Sequence, residues 1–177
     1  MHNDQEHKQQ KHIGVTMIVL MWIALLAMLA YAFSDVLDYR RNPNQTPITH
    51  YDGSHVRKVE LQRNGYGHYV TNGGINGQAV EFMLDTGATA VVVPAHIAKR
   101  LGLESGMPID MHTANGDIRG YLTTLRQVSV GDIHLENISA YINPRDRSDD
   151  VLLGMSFLKK IEFTQRGDTL ILTQLPD

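Results

Sequence analysis

Cysteine is absent from the 177 residues of this chain, and neither sign of charge dominates. Without cysteine the chain forms no disulfide, and it offers no thiolate as a nucleophile or as a metal ligand. The formal net charge of −3 gives no strong attraction to nucleic acid, so a nucleic-acid-binding role is not expected. Neither absence fixes the compartment in which the protein works. A chain of this length forms one domain of ordinary size once its apolar N-terminal segment is set aside.

The N-terminal part of the chain contains a segment that is long enough to span a membrane. Residues 1–12 form a polar tail whose three histidines are five residues apart, a spacing that does not align them on a helix, so no metal site is predicted. Residues 13–33 carry no charge, and a helix of this length spans about 31 Å, against about 30 Å for a hydrocarbon core. Ala30-Tyr31-Ala32 resembles a signal-peptide cleavage site, but signal cores are usually only about 7–15 residues long. We therefore predict a single transmembrane helix that is retained as an anchor.

The rest of the chain predicts a tether followed by a β domain. Residues 34–54 contain two prolines and no apolar periodicity, so we predict a linker that does not pack into a core. Beyond it, short apolar or alternating runs are separated by turn pairs such as Asn76-Gly77, which favour tight hairpins. Residues 55–177 are predicted to form a closed or sandwich-like β domain with one short helix at Ala95–Leu101. The predicted strands are His68–Ile75, Gln78–Leu84, Ile109–Thr113, Ile118–Leu125, Val128–Val130, Leu135–Ile142, Glu162–Gln165 and Thr169–Thr173.

One motif in this domain joins a carboxylate to a tight turn between two apolar runs. The sequence FMLDTGATAVVVP, from Phe82 to Pro94, predicts a strand that ends at Asp85, a reversal, and a second strand of β-branched residues. Gly87 allows the backbone to approach closely, and the Thr86 hydroxyl can hold the loop from behind. A carboxylate at the mouth of an apolar pocket needs such support, because an unpaired buried charge is costly. The competing interpretation is an aspartate in an ordinary β-turn, which Asp-Thr-Gly suits well.

Two segments of the chain resemble the retropepsin-like aspartic proteases. FMLDTGAT resembles the active-site loop of that family, and VLLGMSFL, from Val151 to Leu158, resembles the apolar segment with a glycine that passes beneath the loop. The resemblance runs roughly from Tyr66 to Leu175 and is greatest to bacterial, membrane-anchored members with one lobe per chain. It implies an all-β, retropepsin-like acid-protease barrel behind a single N-terminal transmembrane helix. It also implies a location at the bacterial inner membrane, with the protease domain in the periplasm.

The resemblance implies roles for individual residues. Asp85 would be catalytic, and the rest of its loop would support it: Thr86, Gly87, Ala88 and Thr89. An apolar pair and a glycine would hold the loop from below: Leu152, Leu153 and Gly154. The hairpin between the two motifs would form a flap over a bound peptide: Thr113, Ala114, Asn115, Gly116, Asp117 and Ile118. An ordinary surface hairpin is the competing interpretation of that last segment. The resemblance implies no cofactor and no metal.

The chain contains a single Asp-Thr-Gly, and this determines the assembly that we expect. Members of this family activate water between two carboxylates, one acting as base and the other as acid. Two carboxylates about 4 Å apart repel by about 4 kcal/mol at an effective dielectric constant near 20, so such a pair keeps one proton over a wide pH range. One Asp85 cannot supply this pair. The expected protein is therefore a membrane-anchored aspartic endopeptidase that acts on polypeptides as a homodimer, with Asp85 from each copy on a two-fold axis.

Two other functions stay open at the level of sequence. A retropepsin-like domain with weak dimerisation or an occluded groove would bind peptides or partners, as a peptide-binding or dimerisation module, without cleaving them. A structural periplasmic β domain would use Asp85 only to cap a turn. In that last case, replacement of Asp85 by alanine would leave the function of the protein unchanged.

Overall fold

The computed structural model of this chain describes residues 3–53, 55–113 and 116–176. These residues fall into two units, one within residues 1–39 and the other within residues 40–177. The first unit is the greater part of one helix, and the second contains the strands. All described residues of the candidate site belong to the second unit.

Helix α1 (Asn3–Arg41, 39 residues) contains the apolar segment that the sequence predicts to span a membrane. Its part Thr16–Arg41 is long enough and apolar enough to cross a bilayer, a property that an N-terminal signal sequence shares. Large apolar side chains along this helix, such as Met28, are exposed. An exposed apolar surface of this extent needs a membrane or a protein to cover it. The helix continues past residue 33, the predicted end of the span, because the next residues include no proline or glycine that would end it.

The predicted linker, residues 34–54, differs from the structure over most of its length. Its first part continues helix α1, and strand β1 (Thr49–Asp52) pairs with the next strand along the chain. Between them, Asn44 is buried. Its amide nitrogen donates to the carbonyl oxygens of Gln62 (2.9 Å) and Val70 (2.7 Å), and its Oδ1 accepts the Gln62 N–H (2.7 Å). Asn44 therefore fixes this part of the predicted linker to the strands, because its amide satisfies backbone groups of β2 and β3.

Besides β1, the described part of the second unit contains ten strands and two short helices. In chain order these are β2 (Val56–Gln62), β3 (Val70–Ile75), β4 (Gln78–Leu84), β5 (Val91–Pro94), α2 (Ala95–Arg100), β6 (Pro108–Thr113), β7 (Gly116–Val130), β8 (Ile133–Asn143), β9 (Asp150–Leu153), α3 (Met155–Leu158), β10 (Glu162–Arg166) and β11 (Thr169–Gln174). One sheet has the order β1-β2-β11-β10, and the other has the order β3-β4-β9-β5-β8-β7-β6. A further pairing between β3 and β7 closes the larger sheet into a ring, with β6 outside it. This closure confirms the predicted β barrel.

The hairpin of β3 and β4 leads the chain to the candidate site, and its turn follows from the sequence. Asn76 and Gly77 have φ angles of 52° and 81°. Two consecutive positive φ angles are what a two-residue hairpin turn of the primed type requires, and Asn-Gly tolerates them best. The register then pairs Ile75 with Gln78 and Val70 with Met83. The predicted hairpin is thus confirmed, and its second strand ends at Leu84, directly before Asp85.

Strand β7 differs from its prediction, because it is one strand of 15 residues rather than two. The predicted strands end at Leu125 and begin again at Val128, with Arg126 and Gln127 between them. In the structure, pairing with β8 resumes at Gln127, which lies opposite Glu136. The neighbouring strand therefore decides the length of β7, because backbone pairing outweighs the local preference of two polar residues.

The two sheets share one apolar core. Val59 and Leu61 from β2 are fully buried in the same cluster as Leu172 from β11, Phe82 from β4 and Phe157 from α3. Burial of apolar surface on this scale is the main force that stabilises a domain. The core fixes β4 and α3 to each other, and these are the elements on either side of the candidate site.

Candidate active site

Asp85 lies in the loop between β4 and β5, directly after the last residue of β4. Its carboxylate Oδ1 accepts a hydrogen bond from the Gly87 N–H at 2.8 Å, and its carbonyl oxygen accepts one from the Ala88 N–H at 3.3 Å. These two bonds close a tight turn of the kind that aspartate favours. Asp85 is half-buried, whereas Thr86, Gly87 and Thr89 are exposed. The loop therefore presents one carboxylate, and the backbone holds one of its oxygens.

The sequence predicts that the Thr86 hydroxyl holds the loop from behind. In the structure Thr86 does not have this role. Its side chain is exposed, and its hydroxyl makes no hydrogen bond with any residue that the structure describes. The turn is held instead by backbone groups of its own residues and of β9.

Strand β9 supports the loop along one side. It runs parallel to β4, and the Leu153 carbonyl oxygen accepts the Asp85 N–H at 3.3 Å. Leu153 is fully buried, and Leu152 is half-buried opposite Val92 of β5. Two segments that are distant in the sequence therefore meet, with the apolar pair of β9 next to the loop that carries the carboxylate.

Gly154 directly follows β9, and its backbone crosses the backbone of the Asp85 loop at Ala88 and Ala90. A Cβ atom at this position would lie 2.7 Å from the Ala88 carbonyl oxygen, and it would also overlap the carbonyl oxygen of Ala90. The next residue, Met155, donates its N–H to the Ala88 carbonyl oxygen at 2.8 Å. The φ of Gly154 is −92°, which any residue adopts. This position therefore requires glycine because there is no room for a Cβ atom, and not because of its backbone conformation.

Ser156 is a residue of the site that the sequence analysis missed. It is 8% exposed, and its Oγ accepts the N–H of Val91, the first residue of β5, at 2.9 Å. A buried N–H without such an acceptor would cost free energy. Ser156 therefore fixes the end of the Asp85 loop where β5 begins. Gly154 packs against the middle of the same loop. The one available signal was a lone hydroxyl residue inside the apolar run VLLGMSFL.

Strands β6 and β7 form the hairpin that the sequence analysis predicted as a flap. Their register pairs Thr113 with Gly116, which has a φ of 99°. Ala114 and Asn115, the predicted centre of the flap, lie outside the described residues. Residues 116–120 pair with β6, while β8 pairs only with the later part of β7. The hairpin therefore extends beyond the edge that β8 covers.

Ile118, which the prediction included in the flap, lies two residues along β7 from Gly116 and pairs with Met111 of β6. It is 7% exposed and packs with Val92 in a small apolar cluster. Ile109, Tyr141 and Leu152 complete the cluster as partly buried neighbours. Val92 lies in the strand that follows the carboxylate loop, and Leu152 lies in the strand beside it. Both strands of the hairpin therefore pack on an apolar surface next to the candidate site.

A charged cluster lies between β4 and β9, on the two strands that lead to the loop. Glu81 and Asp150 are register partners, and Arg41 contacts both carboxylates, at 3.0 Å and 2.5 Å respectively. The Asn42 amide donates to Glu81 at 2.9 Å. Burial raises the pKa of Glu81 and its hydrogen bond with Asp150 raises it further, whereas Asn42 and Arg41 lower it. No local pattern in the sequence predicts this cluster, because its members are distant in the sequence and only the sheet brings them together.

The site offers acid–base chemistry through one carboxylate in each chain. Within the described ranges, no three His, Cys, Asp or Glu side chains come together in a way that could hold a metal ion. One oxygen of the Asp85 carboxylate accepts the Gly87 N–H, and the other has no hydrogen bond with any residue that the structure describes. A single carboxylate accepts or donates a proton, but it cannot do both for one water at the same moment.

The central part of the chain shows which protein family it belongs to. Residues 71–160 match the family model described as gag-polyprotein putative aspartyl protease, and they are just over half of the 177 residues. The chain belongs to the retropepsin-like aspartic protease family. The matched residues begin in the β3–β4 hairpin and end just after α3, so they contain the Asp85 loop, the β6–β7 hairpin and Gly154. The family and the fold class that the sequence predicted are therefore confirmed.

Two bacterial proteins and one crystal structure are similar to this retropepsin-like chain. It is 33% identical over 129 residues to an uncharacterized protein in the cobV 5′ region of a Sinorhizobium species, covering 71% of this chain and 54% of that protein. It is 31% identical over 160 residues to an uncharacterized protein of Rickettsia prowazekii (strain Madrid E), covering 86% of this chain and 68% of that protein. The crystal structure of a retropepsin-like aspartic protease from Rickettsia conorii is 28% identical with a TM-score of 0.55, covering 72% of this chain and 94% of that one. The chain spans about half the length of the Sinorhizobium relative.

Proposed function

We propose that this chain is an aspartic endopeptidase that hydrolyses polypeptides as a homodimer. The proposal depends on the Asp85 loop, whose carboxylate is half-buried and accepts the Gly87 N–H, and whose backbone rests on Gly154. The family membership of the chain supports the same chemistry. One such loop in each chain is half of the acid–base pair that peptide hydrolysis requires.

In the proposed dimer the two Asp85 carboxylates face each other across a two-fold axis and share one proton. The ionised carboxylate removes a proton from a water molecule held between the two, and the water oxygen attacks the carbonyl carbon of the scissile bond. The protonated carboxyl gives its proton to the carbonyl oxygen in the same step. The tetrahedral intermediate then collapses to an acid and an amine. The carboxyl that took the proton from water gives it to the leaving nitrogen, and one hydroxyl of the intermediate returns its proton to the other carboxylate, so the pair again holds one proton.

The residues around Asp85 would act by fixing its position. Thr86, Gly87, Ala88 and Thr89 form the turn, and the Gly87 N–H orients the carboxylate before substrate arrives, which lowers the cost of reorganisation during the reaction. Leu152 and Leu153 would keep the loop in place from the side, and Gly154 would let the chain cross behind it. These are positioning roles, because none of these side chains needs to touch the reacting atoms.

The hairpin of β6 and β7 would close over the substrate. A flap of this kind opens for a peptide and then excludes water from the reaction. Thr113, Gly116 and Asp117 frame its tip, and the backbone near Ile118 would pair with an extended peptide as an added strand does. The apolar cluster of Ile118 and Ile109 supports this role, because it holds both strands of the hairpin where the first part of β7 extends past β8.

Helix α1 would anchor the protease in the bacterial inner membrane, through residues 13–33, with the protease domain in the periplasm. The length of the helix and the exposure of its apolar side chains support an anchor. The predicted sidedness comes from the resemblance, since positive charges flank the span on both sides and the positive-inside rule does not favour either orientation.

Replacement of Asp85 by asparagine tests the proposed chemistry. We expect the full-length Asp85→Asn variant, purified in detergent, to lose at least about a thousandfold in kcat/KM on a peptide library, because the amide cannot exchange the proton. Asp52→Asn is the matched control, since the Asp52 carboxylate also accepts a backbone N–H, from Gly53 at 2.9 Å, but lies in β1. Both variants should keep the wild-type circular dichroism spectrum. Peptide binding without cleavage by the wild-type dimer would instead favour a binding module, and full activity of Asp85→Asn would contradict the assignment.

A further inference from the structure

The chain is fixed to the strands directly after helix α1, at the place where the sequence predicts a flexible tether. Asn42, the first residue after the helix, is buried, and its amide donates to Asn72 at 3.0 Å and to Glu81 at 2.9 Å. Asn44 is also buried, and it forms a parallel β-bridge with Thr71 of β3. The residues that follow the helix therefore belong to the barrel and do not form a separate tether.

The last residue of the helix is held as well. The Arg41 guanidinium contacts Glu81 and Asp150, and its carbonyl oxygen accepts the Asn64 amide at 2.8 Å. These partners lie in β4, in β9 and in the loop after β2. A hinge needs terminal residues that absorb large changes of φ and ψ. Residues 41–44 are instead bonded to several strands, so they connect the end of the helix firmly to the barrel.

The connection between the predicted membrane span and the barrel is consequently short. The residues between the span, which ends at residue 33, and Arg41 are all helical. A helix rises about 1.5 Å per residue, so the step from residue 33 to residue 41 covers about 12 Å. A flexible linker over residues 34–54 would have a root-mean-square end-to-end distance of about 25 Å and could extend to about 70 Å. The distance between span and barrel is thus shorter and less variable than a tether would make it.

The same contacts limit the distance between the Asp85 loop and the membrane span. Glu81 lies four residues before Asp85, a length of about 13 Å in an extended strand. The side chains of Arg41 and Glu81, with the 3.0 Å contact between them, add at most about 15 Å. Together with the helical step, these lengths allow at most about 40 Å between residue 33 and the Asp85 loop. This limit comes from lengths along the chain and holds for every direction in which the helix leaves the barrel.

We propose that the polypeptides cleaved by this protease are anchored in the same membrane and are cut in an extended segment close to the bilayer. An extended peptide rises about 3.3 Å per residue, so about 12 residues cover the largest distance that the chain allows. Two partners held in one membrane meet at a higher effective concentration than they do in solution, provided that the geometry lets them engage. A soluble polypeptide has no such advantage. This inference rests on the proposed peptidase and on its proposed anchor.

A reporter of variable height tests the proposed substrate class. The full-length protease shares vesicles with a reporter that consists of a transmembrane helix, a helical spacer, a peptide sequence that the protease cleaves, and a fluorescent domain. Largely helical spacers of about 10, 20 and 60 residues place the cleaved sequence about 15, 30 and 90 Å from the bilayer. We expect the two short spacers to be cleaved at least about tenfold faster than the long one. The matched control is the same reporter without its transmembrane helix, which should be cleaved at least about tenfold more slowly than the anchored form with a short spacer.

Lengthening helix α1 tests whether the short connection sets the reach of the protease. A helical segment of ten turns, inserted between Asp38 and Tyr39, moves the barrel outward by up to about 54 Å. We expect this variant to cleave the reporter with the long spacer at least about as fast as those with the short spacers. The same segment inserted within residues 1–12 is the matched control, because it lengthens the chain on the other side of the span and should keep the wild-type preference. All three proteins should have equal kcat/KM on the soluble peptide, since the barrel is unchanged.

The outcomes separate this inference from the proposed function. Equal rates for the anchored reporters of every height, or for the anchored and soluble forms, would overturn the proposed substrate class, while cleavage of the soluble peptide would still support the peptidase. An unchanged preference in the protein with the longer α1 would overturn the claim that residues 34–44 set the reach. Failure of the wild type to cleave any of these substrates would contradict the proposed function, and this inference with it.

Discussion

Arg41, the last residue of helix α1, is the counter-ion of two acidic side chains that meet inside the sheet. Its guanidinium contacts Glu81 at 3.0 Å and Asp150 at 2.5 Å. Replacing Arg41 by methionine keeps an unbranched apolar stem and removes the charge. Glu81 and Asp150 then stay next to each other on β4 and β9 without a cation. We expect this change to destabilise the barrel unit and leave the Asp85 loop chemically intact.

The size of the effect follows from the exposure of the partners. An exposed ion pair contributes about 0.2–1 kcal/mol, and removing one partner of a fully buried pair costs about 3–5 kcal/mol. The Arg41 side chain is 49% exposed, whereas that of Asp150 is only 11% exposed and that of Glu81 25% exposed. Solvent screens the half-exposed guanidinium, which reduces the larger figure. We therefore expect Arg41→Met to lower the free energy of unfolding by about 2 kcal/mol at pH 8.

The loss of unfolding free energy in Arg41→Met should depend on pH, and the pKa of Glu81 determines whether the loss grows or shrinks as pH falls. Burial, followed by the hydrogen bond with Asp150, raises the pKa of Glu81 above its ordinary value of 4.5. A raised carboxyl pKa contributes stability that is fully present below the unfolded value and is lost as pH rises through the folded value. Arg41 lowers this pKa, so its removal raises the pKa further. A proton on Glu81 then replaces the missing cation, and the loss in Arg41→Met should shrink as pH falls from 8 towards 5.

Urea unfolding of the full-length protein in detergent at pH 8 and pH 5 measures both effects. Tyrosine near-ultraviolet circular dichroism is the suitable signal, because the single tryptophan, Trp22, lies in α1 and does not report on the barrel. Arg40→Met is the matched control, since Arg40 makes no ion pair with any described residue. Equal losses in Arg41→Met and Arg40→Met, or a loss in Arg41→Met that does not change with pH, would refute this account of the cluster.

Two further predictions concern the support of the Asp85 loop. In Gly154→Ala the new Cβ would lie 2.7 Å from the Ala88 carbonyl oxygen, so the loop must shift, and we expect at least a tenfold loss of kcat in a peptidase assay with the barrel still folded. Wild-type kcat in this variant would mean that the crossing does not position the carboxylate. Ser156→Ala leaves the buried Val91 N–H without its acceptor and should lower the free energy of unfolding by about 1–3 kcal/mol in urea, against no change for the exposed Ser105→Ala. Equal stability of these two serine variants would contradict the role of that hydrogen bond.

The sequence by itself determined the local features of this protein. Asn76-Gly77 specified a hairpin turn, because few other pairs tolerate two positive φ angles, and the strand that follows delivers Asp85 to its loop. The long uncharged segment specified a helix that could span a membrane, since its composition leaves no other stable form in lipid. The two motifs were sufficient to identify the family. Each of these signals is contained in a short stretch of the chain.

The tertiary structure decided what distant residues do to one another. Asn44 was predicted to lie in a flexible linker, and it is buried because Gln62 and Val70, which no local pattern connects to it, offer it backbone partners. Strand β7 is continuous because β8 lies beside it, and Arg41, Glu81 and Asp150 form a cluster because two parallel strands adopt one register. Local sequence sets which conformations a segment favours, but pairing and burial depend on what the rest of the chain brings next to it.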